Sequence, residues 1–227
     1  MMRQTMAAAQ QQGGGGGGGV MASATEWWHA GDYSGTTATG QKGSVDLTAN
    51  SSLTTEDDGT YNFLTLEGTS HLDGGDNFDA VGDFSIVHVC KFTETGGTRI
   101  VCAKRSGGGD GYTFYTSGTT PSFIIDGGTP TTEEGGAITT ATLYTFGFGR
   151  DGTTQWLEHP VGTVNSKTCT SADIGSTAEF RINNGTGSGT VFPADQEWIG
   201  TAVFIGVVLS GTEVEEVSDA ILAAAAI

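Results

Sequence analysis

Residues 84–92 read Phe84-Ser85-Ile86-Val87-His88-Val89-Cys90-Lys91-Phe92, and this stretch decides the fold class. In an extended strand, alternate residues share a face, so five residues from Phe84 to Phe92 lie together and Val87 and Val89 lie on the opposite face. Both faces carry apolar residues, which is typical of a strand in the centre of a sheet. A glycine-containing turn at 95–97 follows, and it predicts that residues 98–104 return as an antiparallel partner.

The same pattern of short strands and glycine-rich turns continues along the chain. Further strands are predicted at 61–67, 112–116, 122–126, 143–149, 154–158, 178–183 and 200–209. No helical pattern alternates with them, which argues against a parallel βαβ architecture. One C-terminal helix is predicted, with Thr212 and Glu215 as its capping box. The sequence therefore predicts an all-β fold, an antiparallel jelly-roll β-sandwich at 25–227 with a short C-terminal helix, preceded by a glycine-rich arm at 1–24.

The charge of the chain limits its partners. The formal net charge is −17, from 9 basic and 26 acidic residues. Nucleic-acid binding depends on clustered Lys and Arg, so neither a nucleic acid nor an anionic membrane surface is expected as a partner. No segment reaches about 18 consecutive apolar residues, so no membrane-spanning helix is expected. No cofactor motif was found either, and none is expected to be bound.

Three cysteines, Cys90, Cys102 and Cys169, do not form a disulfide framework, because their number is odd and their spacing irregular. We expect reduced, mostly buried thiols, with Cys90 and Cys102 on neighbouring strands. His88 lies between two apolar residues of its strand face, which favours a packed core histidine over a metal ligand.

The N-terminal segment is low in complexity. Arg3 and Ala22-Ser23-Ala24 imitate the ends of a signal peptide, but glutamines and glycines separate them where an apolar region would be needed. We therefore expect no secretory signal. The seven consecutive glycines of the predicted assembly arm are Gly13, Gly14, Gly15, Gly16, Gly17, Gly18 and Gly19. Such a run is too flexible to hold one conformation alone.

Several short sequence motifs occur in the order found in one superfamily. They include Ile100-Val101-Cys102-Ala103-Lys104, then Gly111-Tyr112-Thr113-Phe114-Tyr115, a hairpin at 144–153, and Leu209-Ser210-Gly211-Thr212-Glu213-Val214. Together they resemble the concanavalin A-like lectin/glucanase, or laminin G-like, superfamily, over about residues 64–221. The resemblance implies a β-sandwich of the kind found in tailed-phage structural proteins. Two departures stand out, Thr142-Leu143-Tyr144 in place of a Trp-His pair and Thr201-Ala202-Val203 in place of an acidic pair.

Several residues are candidates for a functional site, and each also has a structural interpretation. Glucanases of this superfamily carry Glu-x-Asp-x-x-Glu on one strand, a pattern absent here, so we expect no catalytic residue and no enzymatic activity. Asp73, Asp76 and Asp79 are weak calcium candidates, with a solvated acidic turn as the alternative. Trp156 and Trp198 could stack on sugar rings, with core or interface packing as the alternative.

These features favour a structural protein of a tailed-phage virion, assembled in the host cytoplasm. It would be a capsid decoration (cement) protein or a head or tail appendage. The arm would dock on capsid or tail subunits, and the protein would form a homo-oligomer. The alternative is a glycan-binding adhesin, or a receptor-binding tail-fibre domain, whose partner is a cell-surface glycan.

Overall fold

A computed structural model describes residues 19–79, 81–105, 111–125, 131–132, 136–159, 162–169, 176–184 and 193–227. In chain order its strands are β1 Glu26–His29, β2 Tyr33–Ser34, β3 Thr37–Ala38, β4 Leu47–Ala49, β5 Thr55–Asp57, β6 Asn62–Leu66, β7 Leu72–Asp73, β8 Phe84–Phe92, β9 Thr98–Arg105, β10 Gly111–Ser117, β11 Thr120–Ile125, β12 Thr131–Thr132, β13 Leu143–Asp151, β14 Thr154–Glu158, β15 Val164–Thr168, β16 Arg181–Ile182 and β17 Gln196–Ile205. Short 3-10 helices span Val20–Ser23 and Ala30–Asp32, and the α-helix α1 spans Gly211–Ala225. None of the helices in the described part of the chain is long and apolar enough to cross a bilayer.

The strands form two antiparallel sheets packed face to face. The first sheet has the order β15-β14-β13-β8-β17-β6-β5, and β1 pairs with the end of β17 that β6 leaves open. The second has the order β12-β11-β10-β9-β16-β7-β4-β3-β2. This arrangement confirms the predicted antiparallel β-sandwich with one C-terminal α-helix.

Strand β8 is central, as its two apolar faces predicted. It pairs with β13 on one side and β17 on the other. Phe84, Ile86 and Phe92 are fully buried in the core between the sheets, where aromatic rings from both sheets meet. Val87 and Val89 point to the outer face of the first sheet and pack in a second cluster with α1. Because the helix covers this face, the side chains on both faces of β8 pack against other residues of the protein.

Helix α1 begins earlier than the sequence indicated. Its N-cap is Ser210, whose hydroxyl accepts from the Glu213 amide at 3.4 Å while the Glu213 carboxylate accepts from the Ser210 amide at 2.7 Å. The predicted capping box of Thr212 and Glu215 is therefore wrong by two residues. The reason is that the chain leaves β17 sooner than predicted, since Gly206 turns it with a φ of +77°.

A buried polar network crosses the core beside β8. His88 is fully buried, with Nδ1 2.9 Å from Thr201 Oγ1 and Nε2 2.8 Å from Gln196 Oε1. Trp198 Nε1 donates to the same Thr201 oxygen at 2.9 Å, so the Thr201 hydroxyl hydrogen is left for His88 Nδ1. His88 Nε2 then carries the proton and donates to Gln196. The histidine is a neutral core residue, and burial lowers its pKa to about 4.

The cysteines lie in two environments. Cys90 and Cys102 are free and buried, and burial raises the pKa of both thiols. They lie on β8 of the first sheet and β9 of the second, so the expectation that they occupy neighbouring strands is wrong: β9 pairs with β10 and β16 and not with β8, although both cysteines belong to the same core cluster. Cys169 is free and partly exposed.

Candidate functional site

The two tryptophans singled out in the sequence lie inside the protein. Trp198 has no exposed surface and Trp156 is 5% exposed. Trp156 lies under α1, where a Cβ on the facing Gly147 would come within 3.2 Å of its ring. Neither ring offers a face to a ligand, so their position corresponds to the packing alternative and not to sugar stacking.

The three aspartates proposed for calcium contact cations of the protein itself. Asp73 Oδ2 lies 3.2 Å from Arg181 Nε. Asp76 and Asp79 both approach the buried Lys104 ammonium, at 2.7 and 3.3 Å. Nowhere in the described ranges do three or more His, Cys, Asp or Glu side chains form a group that could hold a metal ion.

Most of the predicted assembly arm, residues 13–18, lies outside the described residues. The described chain begins at Gly19, which is exposed, and continues into the 3-10 helix Val20–Ser23. Val20 and Met21 pack against the cluster that holds α1 on the outer face of the first sheet. The base of the arm is therefore fixed beside α1.

The described residues form an open groove on the second sheet, which is a candidate site. Its volume is about 480 Å³, and its lining comes from segments 44–50 and 71–77 together with Glu179. The groove opens on the outer face of the sheet. Thr48, Asp73 and Arg181 are cross-strand partners in one row, while the neighbouring Leu72 and Ile182 point into the core.

One wall of the groove is held by a buried carboxylate. Glu26 has no exposed surface. Its Oε1 accepts from the amides of Trp27 at 3.1 Å and Lys42 at 2.6 Å. Its Oε2 accepts from the Ser44 amide and hydroxyl at 2.9 and 2.7 Å and from the Val45 amide at 3.1 Å. Burial alone would raise the pKa of Glu26, but these hydrogen bonds outweigh it and lower the pKa. We call this arrangement the Glu26 clasp.

The clasp tolerates no side chain at the neighbouring Gly40. A Cβ there would lie 2.3 Å from the Val45 carbonyl oxygen and 2.8 Å from the Glu26 carboxylate. Gly40 also donates its amide to Asp46 Oδ1 at 2.9 Å. The loop between β3 and β4 is thus folded around one carboxylate, and this fixes Ser44, Val45 and Asp46 on the groove wall.

The opposite wall contains His71, which is only 8% exposed. Its Nδ1 lies 3.0 Å from the Thr69 carbonyl oxygen, which can only accept, so Nδ1 carries the proton. Nε2 is then an acceptor, and no partner is found for it among the described residues. The Asn50 side chain fixes the backbone here, since its Oδ1 accepts from the His71 amide at 2.8 Å.

The groove carries more negative than positive charge. Three carboxylates line it, those of Asp46, Asp73 and Glu179. The nearby guanidinium of Arg181 is paired with both Asp73 and Glu179. Polar groups of both kinds, donors and acceptors, therefore surround an open space.

Sequence reasoning identified Asp73 but missed the rest of the groove. Its residues come from segments 44–50 and 71–77 and from Glu179, which follows more than 100 positions later, and cross-strand pairing alone brings β4, β7 and β16 together. Those three strands have two or three residues each, too short for a periodic signal. The sequence feature that could have indicated the groove is the high proportion of Asp, Asn and Gly at 73–77.

No family model and no curated protein matches this chain. Solved structures do match it. A Trypanosoma rangeli sialidase in complex with sialic acid aligns with 88% of this chain and 34% of its own, at 12% identity and a TM-score of 0.67. The binding domain of botulinum neurotoxin DC in complex with SialylT aligns with 88% of this chain and 52% of its own, at 6% identity and a TM-score of 0.59. The chain thus spans about a third of the sialidase and half of the toxin structure.

The sialidase matches correct one expectation. A further match is a Trypanosoma rangeli sialidase with 2,3-difluorosialic acid as a covalent intermediate, at 13% identity and a TM-score of 0.63. Enzyme chains therefore contain this fold, and the prediction that the chain is not an enzyme is overturned. The missing Glu-x-Asp-x-x-Glu pattern excludes only one arrangement of catalytic carboxylates. What the likeness shows is the fold alone: the chain is an antiparallel β-sandwich.

Proposed function

We propose that this β-sandwich is a glycan-binding module and that the groove between segments 44–50 and 71–77 is its binding site. The observation that carries the proposal is the groove itself, an open space of about 480 Å³ lined by fixed polar side chains. Binding sites for small molecules are concave, with a few polar groups that fix the orientation of the ligand. The alternative considered for the sequence, an adhesin or receptor-binding tail-fibre domain, agrees with this proposal.

The chemistry of the lining suits sugar hydroxyls. Each hydroxyl both donates and accepts, so a sugar needs acceptors and donors side by side. The carboxylates of Asp46 and Glu179 accept, the Asn50 and Asn77 side chains do both, and His71 Nε2 accepts. The sialidase and toxin structures with related folds hold sialic acid and SialylT, which supports a glycan as the class of partner.

Blocking the groove is expected to abolish glycan binding. Thr48 is exposed on β4 at the groove floor, so Thr48→Trp fills the space without removing a buried contact. The control is Thr168→Trp, which places the same side chain at an exposed position on the edge strand β15. The measurement is a glycan array followed by titration calorimetry and a hydrolysis assay on the glycans that bind. Absence of binding by the unaltered protein, or equal binding by Thr48→Trp, contradicts the proposal.

A second proposal concerns attachment to a particle. The base of the arm lies beside α1 on the outer face of the first sheet, and the groove opens on the outer face of the second sheet. A protein attached through its arm would therefore present the groove away from its support. This geometry favours the virion role, in which the arm docks on capsid or tail subunits and the groove faces the surroundings.

Deletion of residues 1–19 tests the attachment proposal. Among the described residues, Val20 and Met21 are the first that pack against the sandwich, and the deletion keeps both, so the shortened protein is expected to fold with an unchanged melting temperature. Its incorporation into particles should be lost. The measurement is the amount of protein that co-sediments with particles assembled with the shortened or the full-length chain. Normal incorporation of the shortened chain contradicts attachment through the arm.

A further inference from the structure

We infer that the groove selects uncharged or amino-bearing sugars and rejects sialic acid and other anionic sugars. This inference rests on the proposed function, since it names the class of glycan that the same groove takes. The inferred preference differs from the ligands of the two structures with a similar fold, which hold sialic acid and SialylT. The reasons are the charge of the lining, the pairing of its nearest cation and the acceptor that His71 presents.

Among the described residues, the lining carries no strongly basic side chain. Asp46, Asp73 and Glu179 contribute carboxylates, and the described residues that line the groove include neither Lys nor Arg. Glu179 is 44% exposed and Asp73 23% exposed, so both act on a ligand through partly solvated surroundings. A carboxylate on the ligand would face like charges without a free partner, which weakens its binding.

Among the described residues, the guanidinium beside the groove is that of Arg181, and it is already paired. Arg181 Nε lies 3.2 Å from Asp73 Oδ2, and Arg181 Nη2 contacts Glu179 Oε2. Arginine binds a carboxylate best through two parallel hydrogen bonds from a free fork of N–H groups. To bind a sugar carboxylate, Arg181 would have to leave one of its two partners. The arginine therefore neutralises part of the acidic lining and does not form an anion site.

His71 points to the same class of ligand. Its side chain is more than nine-tenths buried, and it lines the groove through a ring whose Nδ1 proton goes to Thr69. Asn184 Nδ2 lies 3.3 Å from that Nδ1, but both atoms are donors in this tautomer, so the hydrogen bond that orients the ring is the one to Thr69. The unpartnered Nε2 thus offers a fixed acceptor. A fixed acceptor beside carboxylates takes a hydroxyl or an ammonium group, both of which donate.

The net charge of the whole chain acts in the same direction. A formal charge of −17 produces a negative potential that reaches about 8–10 Å at ordinary ionic strength. The discrimination against anionic sugars should accordingly shrink when salt is added, whereas hydrogen bonding to neutral sugars should change little. Salt dependence therefore distinguishes charge repulsion from a difference in shape.

The experiment compares matched glycans on the unaltered full-length protein. Each sialylated oligosaccharide is paired with its desialylated form, and chitosan oligomers serve as amino sugars. We expect the neutral and amino sugars to bind at least about tenfold more tightly than the sialylated member at low salt. We expect that ratio to fall toward one in 0.5 M sodium chloride, a concentration at which charges more than about 4–5 Å apart are screened.

Two variants assign the discrimination to the groove. Glu179→Gln removes one exposed carboxylate and frees the Nη2 group of Arg181, which stays paired with Asp73 through Nε, so it should raise the relative affinity for sialylated glycans severalfold. The control Glu94→Gln removes a similarly exposed carboxylate that pairs with Arg99 at 2.6 Å, beside a second cavity lined by Glu67, Gly68, Thr93, Glu94 and Asp195. It should leave the ratio unchanged.

The outcomes separate the inference from the proposed function. Tighter binding of the sialylated members, with loss of binding in Thr48→Trp, overturns the inference and leaves the groove as a glycan site. An unchanged ratio in Glu179→Gln also overturns the inference. If none of the glycans binds, or if Thr48→Trp binds them all, the proposed function is wrong, and the inference that rests on it is wrong as well.

Discussion

Replacement of Glu26 by Gln is expected to lower the free energy of unfolding by at least about 3 kcal/mol. The Glu26 clasp uses five donors on two oxygens, and all five belong to the protein. Gln keeps one acceptor oxygen and replaces the other by an NH2 group, which must face N–H groups of Trp27 and Lys42 or of Ser44 and Val45. Buried amides would lose their partners, and the groove wall would open with them.

A matched replacement at a second buried glutamate provides the control. Glu158 is 1% exposed, but its Oε1 accepts from the Gly162 amide and no partner is found for its Oε2 among the described residues. Burial and the nearby Glu215 raise the pKa of Glu158. Glu158→Gln therefore removes few hydrogen bonds to the carboxylate, and the free energy of unfolding is expected to stay the same or to rise. Urea denaturation of both variants at pH 7 checks the contrast, and equal losses would contradict the role given to the clasp.

The two glutamates also differ in their response to pH. The native pKa of Glu26 is lowered from 4.5, so its contribution to stability is present above pH 4.5 and is lost as the pH falls. The native pKa of Glu158 is raised from 4.5, so the native state binds the proton more tightly. Its contribution is therefore present at low pH and is lost as the pH rises through the native pKa.

Replacement of His88 by Gln is expected to protect the fold in acid. Native His88 stays neutral down to a pKa of about 4, whereas an unfolded histidine takes up a proton below 6.5. Between these values the unfolded state binds more protons, so stability falls by about 1.4 kcal/mol for each pH unit lost, or about 3 kcal/mol in all. Gln can donate to Gln196 Oε1 and accept from Thr201, which keeps both hydrogen bonds without a titrating group.

The measurement is the free energy of unfolding of both proteins at several pH values from 7 to 4. The difference between them should grow steadily as the pH falls. His29→Gln is the control, because Asp32 lies 3.1 Å from the His29 ring and partly offsets the lowering of its pKa by burial. It should give a smaller slope. Parallel stability curves for the unaltered protein and His88→Gln would contradict the account of the core network.

The fold was predictable where a strand shows alternating apolar residues over several positions. The strands Phe84–Phe92 and Thr154–Glu158 have the predicted boundaries, because alternation over several residues leaves little freedom. Strand β17 instead runs from Gln196, four residues before the predicted start. Its first half pairs with β6 and β8 together, a tertiary arrangement that no local pattern contains.

The site was less predictable for a physical reason. Glu26 lies in a short stretch beside Trp27 and Trp28, and nothing local marks it as the acceptor of amides 16 to 19 positions away. His71 was one of four scattered histidines. The aspartates were noticed as a cluster, yet their partners, Lys104 and Arg181, come from other strands. Polar sites of this kind depend on pairing across sheets, which only the folded chain shows.

The reaction rate of the two buried thiols reports how often the core of the sandwich opens. Cys90 and Cys102 lie in the same core cluster on opposite sheets, without exposed surface and with raised thiol pKa values. A thiol reacts as the thiolate and only where a reagent can reach it. Reagents and oxidants consequently meet Cys169 first, and the two core cysteines become reactive only when the sheets separate. The rate at which they are modified measures how often the whole sandwich opens, with no probe added to the protein.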